Sequence, residues 1–174
     1  YRERFLSLYE MYEETAAEQD DATDTFEQAL QKTRDLRQKL DQLSLEMQRT
    51  TEMDWQKKQE IEEALEQQRQ IEKQLETATE QLDEMIEKIE KNNLFTQETM
   101  EKFQEIQQLY QDIMTPELQD AMQKMADAMQ NLDEKMVRQA MEDMKLNAEE
   151  YNQTLDRTIS LLKKLKAEQN STRP

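Results

Sequence analysis

Glycine, histidine and cysteine are all missing from this 174-residue chain, and it has only two prolines and one tryptophan. Average usage would supply about 12 glycines at this length, so any tight reversal must fall on Asn, Asp, Thr or a proline break. Without glycine there can be no GxxxxGKS phosphate loop, GxGxxG dinucleotide turn or GxSxG nucleophile elbow. Without histidine a Ser or Thr nucleophile has no imidazole base, and the E-x-x-H pattern of metal-binding helical bundles cannot be completed. The lack of cysteine rules out disulfides and thiol redox chemistry but leaves the compartment open. No apolar run approaches the roughly 18 residues of a membrane span, and no signal-peptide pattern is present.

What the chain has in abundance is charge. Forty acidic residues against 23 basic ones give a net charge of −17 and a pI near 4.5. This excess repels nucleic acid and anionic lipid, so neither nucleic acid nor direct membrane contact by this segment is expected. Carboxylate pairs such as Asp20-Asp21, Glu62-Glu63 and Glu149-Glu150 read as solvated helix faces rather than metal sites. No catalytic, cofactor-binding or metal-binding residue is assigned, and catalysis is the least supported class. Hydrophobic residues make up 35% of the chain and charged residues 36%, too thin for a thick core but suited to a narrow seam between helices.

That seam is visible as a seven-residue repeat. With Phe5 as an a position, the a residues include Tyr12, Phe26, Leu40, Met47, Ile61, Leu75, Leu82 and Ile89. The d residues include Leu8, Ala22, Ala29, Leu36, Leu43, Ala64, Ile71, Ala78 and Met85. Disorder would not keep this phase, so the reading is an all-α coiled coil. The seam turns polar at Thr50, Asp54 and Lys57, with Met53 and Trp55 beside it. The segment 50–56 is therefore the expected kink of a long first helix over 1–92. Asp54 and Lys57 read either as a buried layer fixing register or as a plain surface break. Trp55 reads as a core plug in preference to a contact residue.

Asn92 and Asn93 place the reversal at 93–96. The pattern then resumes through Met100, Phe103, Ile106, Tyr110 and Ile113. Thr115-Pro116 marks a helix end followed by a fresh start, with Thr as cap and Pro at the first helical position. Beyond it, Leu118, Met122, Met125, Met129, Leu132 and Met136 lead through four-residue steps at Ala140 and Met144, the spacing of a stutter. Asn131 with Glu134, and Asn147 with Glu150, resemble capping boxes. The return arm spans 97–168, in two or more helices broken at 115–116, and 169–174 reads as a frayed tail.

Two all-α architectures follow. One is an elongated antiparallel helical hairpin with kinks, in which residue i faces about residue 186 − i; the other, folded at Thr50 to Trp55, is a four-helix bundle. In the hairpin the aromatic stripe Phe5, Leu8, Tyr9 and Tyr12, spaced i, i+3, i+4, i+7, overhangs the return arm. It is the candidate contact site for a protein partner or for self-association as a homodimer. Local packing on Leu162 and Leu165 is the competing reading. Met122, Met125, Met129, Met136, Met141 and Met144 read as seam filling in preference to an adaptable groove for a partner helix.

The run Met114-Thr115-Pro116-Glu117-Leu118-Gln119-Asp120-Ala121-Met122-Gln123-Lys124-Met125 belongs to a further pattern with Gln139-Ala140-Met141-Glu142-Asp143-Met144-Lys145-Leu146 and Leu155-Asp156-Arg157-Thr158-Ile159, followed by Leu161-Leu162-Lys163-Lys164-Leu165. Over roughly residues 95 to 168 it resembles the helical region of a family of large bacterial membrane-anchored proteins of unknown function. The resemblance implies an extracytoplasmic segment whose parent carries transmembrane helices near its N-terminus. It brings no catalytic residues. The chain, beginning with Tyr1, is read as a fragment of a larger protein. The function expected is a non-catalytic structural spacer, scaffold or protein-interaction segment. A regulated helix-binding module with a Met-rich groove is the alternative.

Overall fold

The computed structural model describes residues 2–49, 54–111, 116–131 and 133–172, with side chains described over 7–49, 54–111, 117, 119–131 and 133–169. All five elements among them are helices, so the chain is all-α: α1 Arg2–Arg49, α2 Trp55–Asn92, α3 Gln97–Gln111, α4 Pro116–Gln130 and α5 Glu134–Thr172. The heptad seam is what these helices bury. In α1 it runs from Thr15 through Ala22, Phe26, Leu36 and Leu40 to Met47, and in α2 from Ile61 through Ile71, Leu75 and Leu82 to Ile89. Buried Phe103, Ile106 and Tyr110 continue it in α3, and Met125, Ala128 and Met129 in α4.

Side-chain pairs fix how the helices lie. Between α1 and α2, Lys39 meets Glu63 at 3.1 Å and Glu14 meets Lys88 at 2.7 Å, so each pair adds to 102 and the two helices run antiparallel. Between α1 and α5, Asp41 meets Lys145 at 3.1 Å, Asp20 meets Lys166 at 3.3 Å and Arg37 meets Glu149 at 3.6 Å, each matching i with 186 − i. Asp83 of α2 accepts from Gln107 of α3 at 2.7 Å and from the Tyr110 hydroxyl. The remaining packed pairs are α4 with α5 and α3 with α5. These neighbours are compatible with the four-helix alternative: α1 lies between α2 and α5, with α3 against both α2 and α5 and α4 against α5.

The expected register is thus present between α1 and α5, while a single helix over 1–92 is not. Asp54 is not helical, and α1 (Arg2–Arg49) and α2 (Trp55–Asn92) lie side by side. Folding a long hairpin in half preserves its cross-arm register, which is why register alone could not separate the two architectures. Asp54 is the reason α2 starts where it does. Its backbone is extended (φ −80°, ψ 171°) and its carboxylate accepts the Lys57 N–H at 2.8 Å. It is an exposed N-cap, not a buried ionic layer. Thr50, Thr51 and Met53 lie outside the described residues.

The second reversal falls where the asparagines place it. Asn93 takes the left-handed conformation at φ 51° and ψ 43°, and the Leu94 N–H reaches back to the Ile89 carbonyl at 3.1 Å. Thr96 then caps α3, its hydroxyl accepting the Thr99 N–H at 3.3 Å. α4 begins at Pro116 as the proline predicts, although Ile113, Met114 and Thr115 lie outside the described residues.

The third connection differs from expectation. Asn131 closes α4, donating its N–H to the Asp127 carbonyl at 3.0 Å. Asp133 is the cap of α5, accepting the Lys135 and Met136 N–H groups at 3.1 and 3.2 Å. Asn147 lies inside α5 and donates to the Asp143 carbonyl at 2.8 Å, so it starts no helix. The break resets the seam by one residue. Val137 is buried and Met136 is 49% exposed, after which Met141, Met144, Ala148, Tyr151 and Leu155 alternate steps of three and four with no stutter inside α5. The helix also outlasts the expected frayed tail, reaching Thr172 with Gln169 buried.

Candidate interaction surfaces at the two ends of the bundle

One end of the bundle gathers the start of α1, the α2–α3 turn and the end of α5. Here Tyr12 stands edge-on to Phe95, ring centroids 4.9 Å apart, and Phe95 lies 6.0 Å from Phe103. The turn points Phe95 back toward α1 because Asn93 reverses the chain immediately after the last seam residue of α2. Lys88 bridges Glu14 and Glu18 at 2.7 and 3.3 Å, and chiefly its hydrogen bond to Glu14 holds its pKa above the ordinary lysine value. Lys166 of α5 donates to the Ala16 carbonyl at 3.1 Å.

Residues 12–18 therefore do have partners within the chain, contrary to the hairpin expectation for everything before Gln19. The fold supplies two helices there, α2 and α5, where the hairpin supplied none. Of the four stripe residues, Tyr12 joins this aromatic contact. Leu8 is 40% and Tyr9 57% exposed. The Phe5 side chain lies outside the described residues.

The opposite end carries both interior connections, α1 to α2 and α4 to α5. Arg138 of α5 ties it together by donating to the Met47 carbonyl of α1 at 2.8 Å. Trp55, the first residue of α2, is 75% exposed, so it is not the core plug expected of it. It sits at the first position of a helix whose buried seam starts at Ile61. Leu45 and Met136 share this end and are also exposed. Sequence reasoning missed Leu45 because a single leucine outside the stripe carries no periodic signal. It missed Met136 because Val137 and Met136 fit the stripe equally well until the helix start is known.

Between the ends the interior is closed. Met125, Met129, Met141 and Met144 are buried in the α4–α5 contact, and Met122 is partly buried against the same core. Buried Tyr110 rests 5.9 Å from Phe26. Burial, with the hydrogen bond and charge of Asp83, pushes its phenol pKa well above the usual tyrosine value. Burial, and the negative charge of Glu72, do the same for Tyr151. Glu72 is itself raised by burial, partly offset by Arg69. Gln68, on the seam one turn earlier, is buried with its amide nitrogen unpartnered among the described residues.

Among the described residues no group of three or more acidic side chains is placed to hold a metal ion. One cleft between α2 and α4 is lined by Lys58, Glu62, Leu65, Arg69, Ala126 and Met129. Among the described residues, the surface offers charged flanks, with Leu146 exposed along α5, and two ends with exposed apolar side chains. No protein-family model, curated protein or solved structure matches this chain.

Proposed function

We propose that this chain is a non-catalytic spacer or scaffold segment of a larger protein, acting by holding other parts at a set distance or by docking a protein partner at its ends. The observation that carries this reading is the seam itself: one connected core from Ala22 to Leu165, built from the chain's own helices. A core of that kind makes a stiff element whose length is set by helix length. The 48-residue α1 corresponds to about 70 Å at roughly 1.5 Å per residue. The resemblance noted over residues 95 to 168 supports its being an extracytoplasmic segment of a bacterial membrane-anchored protein. No helix among the described residues is long and apolar enough to cross a membrane.

Thermal melting of the isolated chain together with small-angle scattering tests the proposal. A spacer melts in one cooperative transition without any partner, and its monomer scatters as a rod of about 70 Å. Gradual melting, or a compact near-spherical particle, would exclude it. The docking form of the reading is favoured by the exposure of Leu8 and Tyr9 beside the Tyr12–Phe95 contact. The Met-groove alternative requires α4 to leave α5, because its methionines are already occupied there. A rise of several degrees in melting temperature with a partner helix would mark that alternative.

A further inference from the structure

The hollows along the bundle differ in how they balance charge. The cleft between α2 and α4 sets Lys58 and Arg69 against Glu62 and Glu66. In the one between α3 and α5, Lys102 and Glu168 already meet at 2.9 Å. The pocket at the α2–α3 turn, with a volume of about 410 Å³, is different. Ile89, Phe95 and Met100 give it apolar walls, Glu90 and Glu101 supply two carboxylates, and the rest of its lining is Asn and Gln, with no basic residue. Its size falls within the roughly 300–1,000 Å³ of ligand pockets.

Both carboxylates stand without a cation. Among the described residues neither Glu90 nor Glu101 is in an ion pair, because the lysines of this end are engaged elsewhere. Lys88 bridges Glu14 and Glu18, Lys102 reaches Glu168 and Glu98, and Lys91 lines a separate hollow with Glu84 and Glu87. The acidic residues one turn away, Glu87, Glu98 and Glu105, add charge of the same sign. Glu90 also lies in the last turn of α2, where a negative charge opposes the helix dipole. Its charge works against the helix that carries it, and a bound cation would reverse that cost.

We propose that this pocket receives an arginine side chain from an apolar-flanked segment of a protein partner. A guanidinium offers five N–H donors to the carboxylates and amide oxygens, and its flat face stacks on an aromatic ring such as that of Phe95. Its aliphatic stem packs on Ile89 and Met100. Phe95 is shared with the Tyr12 contact, and Leu8 and Tyr9 are exposed one turn earlier in α1, so the residues flanking the arginine find apolar cover at the same end. The net charge of −17 draws a basic segment toward the chain and repels a second copy. This occupant gives the docking form of the proposed function, on which it rests, a partner of defined chemistry.

Titration of the full chain, nitrogen-labelled for NMR, with a blocked Leu-Arg-Leu tripeptide at low salt tests the pocket. Saturable shifts confined to the backbone amides of residues 88–104 and 8–12 are expected. The same tripeptide with citrulline, which keeps the shape and loses the charge, should not bind, and the one with lysine should bind more weakly. Glu90→Gln with Glu101→Gln should weaken binding by about fivefold or more while the melting temperature stays equal or rises. Glu62→Gln with Glu66→Gln, the same change in net charge at the α2–α4 cleft, should leave the affinity within about twofold. Unsaturable shifts scattered over every acidic face, equal losses from the two double variants, or equal affinity for the lysine or citrulline peptide would overturn the arginine site. Melting of the peptide-free chain tests the spacer reading separately, so a chain that melts in one transition yet shows no shifts sinks the arginine site alone.

Discussion

Buried polar side chains are where single residues of this seam diverge most. Gln19 donates its amide to the Leu162 carbonyl at 3.3 Å and Thr33 bonds the Ala29 carbonyl at 2.8 Å, whereas the Gln68 amide nitrogen finds no partner among the described residues. An unpaired buried donor costs about 1–3 kcal/mol, so Gln68→Leu should raise stability by about 1 kcal/mol or more in chemical denaturation; a loss would show that the amide is satisfied in solution. Glu72 follows the same logic through its charge. Its pKa is raised by burial, so its protonated form suits the fold, and the stability this confers below the ordinary carboxylate value disappears as pH rises through the folded value. Glu72→Gln is therefore expected to raise the melting temperature at pH 7 and to change little at pH 3.

Tyr110 and Tyr151 show the alkaline counterpart. Both phenols are raised in the folded state, so their contribution is intact below about pH 10, the unfolded tyrosine value, and is lost as pH rises above it. In an alkaline titration followed by phenolate absorbance, these two of the five tyrosines should ionise only as helix is lost. Replacing both by Phe should remove that late step, and a single smooth titration in the parent would contradict the burial. The seam positions of these residues were legible from period alone. Their hydrogen bonds and charges were not, because Asp83 and Glu72 lie off the stripe and meet the tyrosines only once the helices are paired.

At the scale of elements, periodicity located nearly all of α1 and α2 but concealed the boundary between them. Heptad phase cannot report a reversal whose connection preserves it, and the visible sign was chemical: the polar stretch from Thr50 to Lys57. Within that stretch an aspartate reads equally well as a seam break or a cap until the backbone direction is known. The α2–α3 turn was legible because, without glycine, asparagine is the residue best suited to a left-handed position. Asn93→Gly should accordingly be neutral or slightly stabilising, while Asn93→Ala, with φ at 51°, should cost about 1 kcal/mol. Equal melting temperatures for the Gly and Ala variants would show that the turn does not hold that conformation. At the start of α5, Asp133→Ala should lose about 1 kcal/mol and Asn131→Ala much less, reversing the expectation from the Asn131-Glu134 spacing.

For the whole molecule the governing quantity is a net charge of −17. Unfolding spreads those charges apart, so repulsion works against the fold. Opposing it are pairs that cross between helices, such as Arg37–Glu149 and Lys163–Glu27, whose side chains are 40% or more exposed. Exposed pairs of this kind contribute roughly 0.2–1 kcal/mol each at best. Salt weakens both effects, but unequally. The pairs act at contact distance, while the excess negative charge acts over the screening length, which shrinks from about 30 Å at 0.01 M to about 8 Å at 0.15 M. Repulsion is thus the larger loss, and sodium chloride raised from 10 to 150 mM should increase the melting temperature by several degrees. The same change should favour association, since two copies of equal charge repel in dilute salt. A melting temperature that falls with added salt would mean that the ion pairs along α1, rather than the apolar seam, set the stability of the bundle.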